Sequence, residues 1–419
     1  MENTAAPEAR VYTRRKGDGK LVSLSGAKEM TRPCWDRMKA EDDEKDSLKP
    51  LMKKKALMKM YFGLFADEVE ENFLLLDWMT QIRLGDEHAS ESRLLKQAEA
   101  AKTDVPETME SDYEAYTAST FRDDWMAVWS RKFGCFEDTT KLRPMRFTDK
   151  PAPSYGAFPM SALQVFSVRV EGIRRGLQWP LDVFGIIAVR DTVDLNRNII
   201  FSRTRDNCQT LTKEDRNLAL VGPSRAVVWQ DHLYIEVKLT VKGPTESEDK
   251  DLSFLVVPFA CGNAAYSYHK YSYRTSKLST VRLSLGPIVD SVEATIFVRV
   301  SDGSWPDGFR AQFAAFTTGI RRKIAPSIDH KKIILLDSGS RKVPFNAGGI
   351  ELSRRVVSVE TTGKLRVCIK AWKIVESAKN AVKDELFFTP QEAGRSSGLL
   401  DAGFCKMEVT VAWSLITCD

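Results

Sequence analysis

Histidine is nearly missing from this chain: its 419 residues include four, His88, His232, His269 and His330. None stands in an HExxH pair or beside a Gly-x-Ser-x-Gly elbow, so zincin chemistry and histidine-activated serine nucleophiles have no support. Cysteine is sparse and scattered. The seven, Cys34, Cys135, Cys208, Cys261, Cys368, Cys405 and Cys418, are odd in number and include no CxxC pair. That spacing argues against a disulfide framework or zinc knuckle and for an intracellular, reducing compartment, cytoplasm or nucleus. No run of about 20 apolar residues exists, so no membrane-spanning helix is expected. No GxxxxGK[ST] loop is present to cradle phosphates, and no cofactor is expected. Charge is nearly balanced: the net value of +5 does not by itself point to nucleic acid. The N-terminus lacks the apolar stretch of a secretory signal. Its basic residues Arg10, Arg14, Arg15, Lys16 and Lys20 are interrupted by Glu2, Glu8 and Asp18, which weakens an organelle-targeting reading.

What the chain does contain is a β unit written twice. Val165 to Gly172 matches Val292 to Gly303, and each is followed by a Trp-Pro corner, Trp179-Pro180 and Trp305-Pro306. The apolar stretches 183–189, 199–201, 225–229 and 234–241 recur as 309–316, 333–336, 355–359 and 365–372, at an offset of about 130 residues. A repeat of that size is a duplicated domain rather than a solenoid unit. Residues 279–285 and 406–415 alternate polar and apolar, as half-buried antiparallel strands do. Turn signals such as Gly222-Pro223, Gly243-Pro244, Ser338-Gly339 and Gly348-Gly349 punctuate the strands. About seven short strands per copy predict a tandem antiparallel β-sandwich, copy one at 161–287 and copy two at 288–417.

The N-terminal part has a different texture, which makes the chain α+β overall. Residues 1–48 are polar and charged and are expected to be disordered. The region 49–140 is expected to be helical. Leu57, Tyr61, Leu64, Phe65, Val69 and Phe73 recur at helical spacing within 51–84, and 88–101 is rich in helix formers. Trp125, Trp129 and Phe133 share one face of a further helix, and Gly134 stands where a C-cap belongs. Four prolines, Pro144, Pro151, Pro153 and Pro159, mark 141–160 as a linker or a chain laid extended over a surface.

The motifs Leu177-Gln-Trp-Pro-Leu-Asp-Val-Phe-Gly185, Arg197-Asn-Ile-Ile-Phe201, Gly222-Pro-Ser-Arg-Ala-Val227 and Leu352-Ser-Arg-Arg-Val-Val-Ser-Val-Glu360 resemble the DUF6598 domain over about residues 160–417. That is a domain of unknown function abundant in grasses. Some members are fused to a ribosome-inactivating domain, which implies a link to defence or toxin biology by association. The resemblance supplies no catalytic residues. A ribosome-inactivating N-glycosidase needs Glu-x-x-Arg on a helix. Among the stretches with that spacing, Glu171 to Arg174 and Glu392 to Arg395 contain glycine, which disfavours the required helix.

Two constellations remain. In 266–277, Tyr266, Tyr268, Tyr271 and Tyr273 alternate with His269, Lys270, Arg274 and Lys277. Tyrosine offers stacking area at small entropic cost, and cations can meet phosphates or acidic partners. The same letters also suit an ordinary strand with aromatic cross-strand pairs. In 191–198, Asp191, Asp194, Asn196 and Asn198 offer oxygens for a calcium ion, or form a solvated turn with side-chain-to-backbone bonds. The expectation is a non-enzymatic protein-interaction scaffold. The alternative is RNA or ribosome binding through the basic-aromatic loop with the cationic segments 320–323 and 330–332.

Overall fold

The computed structural model describes residues 107–153, 157–230, 232–260, 264–319, 326–339, 341–373 and 381–417. The polar segment 1–48 and the helices expected within 51–84 and 88–101 lie outside the described residues. Helix α1 runs Glu107–Phe133, beginning well before its aromatic face. It ends where Gly134 takes a positive φ of 96° and donates its N–H to the Ser130 carbonyl at 3.0 Å.

The strands follow in order: β1 (Ala157–Phe158), β2 (Met160–Ile173), β3 (Leu181–Arg190), β4 (Asn198–Arg203), β5 (Gln209–Leu211), β6 (Val227–Val228), β7 (Leu233–Val241), β8 (Lys250–Phe259), β9 (Lys270–Thr275), β10 (Ser279–Gly303), β11 (Phe309–Thr317), β12 (Ile333–Asp337), β13 (Phe345–Asn346), β14 (Gly349–Ile350), β15 (Val356–Glu360), β16 (Leu365–Lys373), β17 (Val382–Phe388), β18 (Ala393–Asp401), β19 (Cys405–Ser414) and β20 (Ile416–Thr417). One large sheet is built around β10, and two small sheets have the orders β4-β3-β7-β8 and β12-β11-β16-β17.

Strand β10 explains how the halves join. Its first part, up to Ile288, pairs with β2 on one side and β9 on the other. Ser291 still reaches Met160 of β2 while it pairs with Glu360 of β15, and from Glu293 onward the partners are β15 and β19. The boundary expected near 287 therefore falls inside one continuous 25-residue strand. Each part of the large sheet faces one small sheet. Val168, Val281 and Leu283 pack against Ile187, Ile235 and Val237 in one core. Ala294, Ile296 and Val411 pack against Phe313, Val367 and Ile369 in another. Counting strands of five or more residues, with β10 in both, the first sandwich has seven and the second eight.

Two outer elements are fixed to this frame. Helix α1 covers the outside of β7 and β8, with Phe121 and Trp125 buried against Val256 and Phe136. The proline-containing stretch is laid over the surface rather than left as a free linker. Met145 donates its N–H to Glu293 at 2.7 Å, Phe147 to Ser414 Oγ at 3.1 Å, and the Phe147 ring enters the second core.

Candidate binding face

The 266–277 stretch is half loop and half strand, and strand geometry divides its side chains. Successive residues of β9 point to opposite faces. Lys270, Ser272 and Arg274 stand opposite Leu285, Leu283 and Val281, the core-facing residues of β10. The Lys270 ammonium lies 5.1 Å from the Phe259 ring centroid and 5.6 Å from that of Trp229. Burial, with Arg274 adding, pushes its pKa down to about 8. Arg274 is lowered by burial too, opposed by Glu114 of α1. These two cations serve the inner side.

Tyr271 and Tyr273 take the outer side, opposite Ser284 and Arg282. They remain 42% and 48% exposed, with ring centroids 6.4 Å apart. Arg282 in turn pairs across with Arg169 of β2. Its guanidinium lies 5.0 Å from the Tyr271 centroid, and Lys331 lies 5.0 Å from the same ring while donating to its hydroxyl at 3.3 Å. Glu171 approaches Arg282 at 3.2 Å and Arg169 at 3.5 Å, so one carboxylate serves two guanidiniums. The result is a face of two exposed rings among cations in excess of anions.

Behind it sits His269, 3% exposed, with Nε2 2.8 Å from Ser284 Oγ and its ring 4.5 Å from Tyr271. Burial first, then the charges of Lys331, His330 and Arg282, push its pKa down to about 3, so it is neutral. The chain before β9 is pinned to the second sandwich. Ser267 Oγ donates to Glu360 at 2.5 Å, and the His269 N–H donates to the Pro326 carbonyl at 3.0 Å. Gly286 is required beneath it, since a Cβ there would lie 1.8 Å from the Tyr268 carbonyl oxygen. Tyr266 and Tyr268 are half-buried and contact each other at 6.1 Å. Lys277 is exposed on the turn into β10.

The eight residues singled out by sequence are thus separated. Tyr271 and Tyr273 share the open face, Lys270 and Arg274 line the inner side, and His269 is interior. Arg282 and Lys331 join the face from elsewhere. The alternation of 279–285 sends Arg282 outward and is a usable signal. No local pattern marks Lys331, which arrives through tertiary packing. Of the cationic segments, 320–323 lies outside the described residues, and Lys332 donates to Gln312 at 2.9 Å.

Asp191 and Asp194 make the side-chain-to-backbone bonds expected of the turn, accepting the Val193 and Asn196 N–H groups at 3.3 Å each, but the turn is buried rather than solvated. Asp191 is fully buried and takes both ends of the Arg225 guanidinium at 2.7 and 2.8 Å, plus the Val228 N–H at 2.9 Å. Asp194 accepts from Arg225 at 3.1 Å and from Thr140 Oγ1 at 2.5 Å. The oxygens that would face a calcium ion are spent on an arginine, because the loop is covered by the 135–148 segment. Burial alone would lower the Arg225 pKa; Asp191 and Asp194 hold it above its ordinary value. Among the described residues no group of three His, Cys, Asp or Glu side chains could hold a metal ion. Beside it, Glu236 pairs with Arg190 at 3.1 Å and also with Arg197. Arg190 lies 4.0 Å from the Phe136 ring and 5.0 Å from that of Trp125, which ties α1 to the sandwich. Among the described residues no Glu-x-x-Arg pair is helical: Glu171 is in β2, Glu351 follows β14 directly, and Glu392 directly precedes β18. Among the described residues no helix is long and apolar enough to cross a membrane.

The profile of a domain of unknown function (DUF6598) matches residues 162–411. No curated protein matches the chain. Among solved structures, human GIVD cytosolic phospholipase A2 is similar at 8% identity and a TM-score of 0.20, over 61% of this chain and 33% of that one. The paired C2 domains of Extended-Synaptotagmin 2 are similar at 10% identity and a TM-score of 0.20, over 66% of this chain and 100% of that one. The chain thus spans a third of the phospholipase. Likenesses at this TM-score carry no argument about function.

Proposed function

Because the chain belongs to the DUF6598 family, whose name assigns no activity, we propose that it is a non-enzymatic interaction module. Its contact surface is the outer face of the first sandwich, centred on Tyr271 and Tyr273. The observation that carries this reading is the exposure of those two rings on a strand fixed by main-chain pairing and flanked by Arg282 and Lys331. Tyrosine and arginine on a rigid support are the side chains that dominate protein interfaces. The partner is a protein presenting acidic side chains to that cationic rim. The matching strand orders of the two small sheets support an origin by duplication. A setting in plant defence rests on the family resemblance alone.

The test compares the wild-type chain with a Tyr271→Ser, Tyr273→Ser variant in pull-downs from cell extract, followed by direct titration of the recovered protein. Loss of two central aromatic contacts weakens a specific partner by about 30-fold or more, since a hot-spot truncation costs roughly 2 kcal/mol. Unchanged binding to every recovered protein overturns the proposal.

A second reading, single-stranded RNA, is favoured by the cations seated on Tyr271. It predicts that the variant loses RNA or ribosomes instead, with affinity falling steeply as salt rises.

A further inference from the structure

We infer that a cleft on the second sandwich binds a small aromatic anion. The cleft has a volume of about 590 Å³ and is lined by Thr318, Ser327, His330, Lys364, Arg366 and Phe387, with Asp329 on one wall. That volume suits a ligand of a few rings. It goes beyond the interaction face, which it does not need.

The chemistry follows from register. Phe316, Arg366 and Phe387 stand side by side across β11, β16 and β17. The Arg366 guanidinium lies 4.0 Å from the Phe316 ring centroid and gives Nη1 to Glu385 at 3.2 Å. Stacking and one carboxylate hold it flat while its remaining N–H groups face outward unengaged among the described residues. Lys364 is exposed, and its ammonium has no partner among the described residues. Its backbone is held instead, since its N–H donates to Thr318 Oγ1 at 2.9 Å and its carbonyl accepts the Thr318 N–H at 3.0 Å. Ser327 Oγ accepts the Asp329 N–H at 3.1 Å, leaving its hydroxyl hydrogen to donate.

Phe387 is 59% exposed, the most exposed large apolar side chain of the described residues. An apolar ring left in water beside two cations is complementary to a ligand with the same two parts. A flat ring stacks on Phe387, and its anionic group meets Lys364, Arg366 and Ser327.

Calorimetric titration of the full chain with phenyl phosphate tests this, with inorganic phosphate and phenol as the separate halves of the ligand. Phenyl phosphate saturates at millimolar concentration or below, and each half binds at least about tenfold more weakly. Lys364→Ala and Phe387→Ala each weaken phenyl phosphate by about tenfold. Both side chains are exposed, so both variants fold, which circular dichroism checks. Absence of saturation overturns the proposal. So does undiminished binding in either cleft variant, or inorganic phosphate binding as tightly as phenyl phosphate.

Discussion

At position 269 a titratable ring is buried against Ser284, Phe166 and Tyr271, and Lys331 and Arg282 bring positive charge near it. Both facts disfavour imidazolium, which is why its pKa falls to about 3 from the ordinary 6.5. A base whose folded pKa is depressed binds its proton more readily when unfolded. Its effect on stability is therefore absent above pH 6.5 and grows unfavourable as pH falls from there toward 3. Between pH 7 and pH 4 this one residue costs the fold about 3 kcal/mol. Denaturant titrations of wild type and His269→Gln at both pH values check it. The glutamine variant retains a polar partner for Ser284 and has no proton to gain, so the difference between the two proteins shifts in its favour on acidification. A difference that stays flat from pH 7 to pH 4 removes the argument.

At the scale of elements, α1 has one way to be held. Its first turns are polar, and the contact is made by Phe121, Trp125, Trp129 and Phe133 on the outside of β7 and β8. The Trp125 indole also donates to the Leu195 carbonyl at 3.2 Å and stacks near Arg190. Trp125→Ala should destabilise by about 3–5 kcal/mol, as large aromatic truncations do. Because Arg190 then loses cover, amide exchange should quicken first in α1 and at 135–138. Loss under 1 kcal/mol, measured by urea unfolding, would show that the helix is not anchored there. What sequence could read at this scale follows from periodicity. The alternation in 279–285 and 406–415 marks strands because each has one wet face, and Trp125, Trp129 and Phe133 mark the helix because their spacing is four. The first half of α1 has few apolar residues and so leaves no stripe to read. The binding face was legible in part: Tyr271 and Tyr273 stand out in composition, but which neighbours share their face depends on where β9 begins. A strand starting at Lys270 turns Lys270 and Arg274 inward and brings Arg282 alongside the rings. The Asp191 loop misleads for a related reason, since its partner Arg225 is distant in sequence and polar letters do not say whether water or an arginine satisfies them.

For the whole molecule the decisive feature is that two cores share one strand. Residues Ser279–Gly303 carry inward-facing side chains of the first core and then of the second, with no turn between. Ordinary tandem domains meet through a linker and unfold separately. Here, melting either core strips half of the pairing from β10, whose remaining half then becomes a frayed edge. The junction is also bonded. Glu293 accepts the Met145 and Ala226 N–H groups at 2.7 Å each, and Arg354, 1% exposed in the second half, donates to the Val165 carbonyl in the first at 2.5 Å. Coupling on this scale predicts one cooperative unit. Ile369→Ala, a truncation confined to the second core, should cost about 2–5 kcal/mol. Under native-state hydrogen exchange it should lower the protection of β7 amides in the first sandwich by the same amount as that of β16 amides around the mutation. If β16 loses protection while β7 keeps its own, the sandwiches open independently, and the strand joins them without coupling them. Equal loss means that the tyrosine face and the second sandwich stand or fall together, so that a ligand stabilising one necessarily stabilises the other.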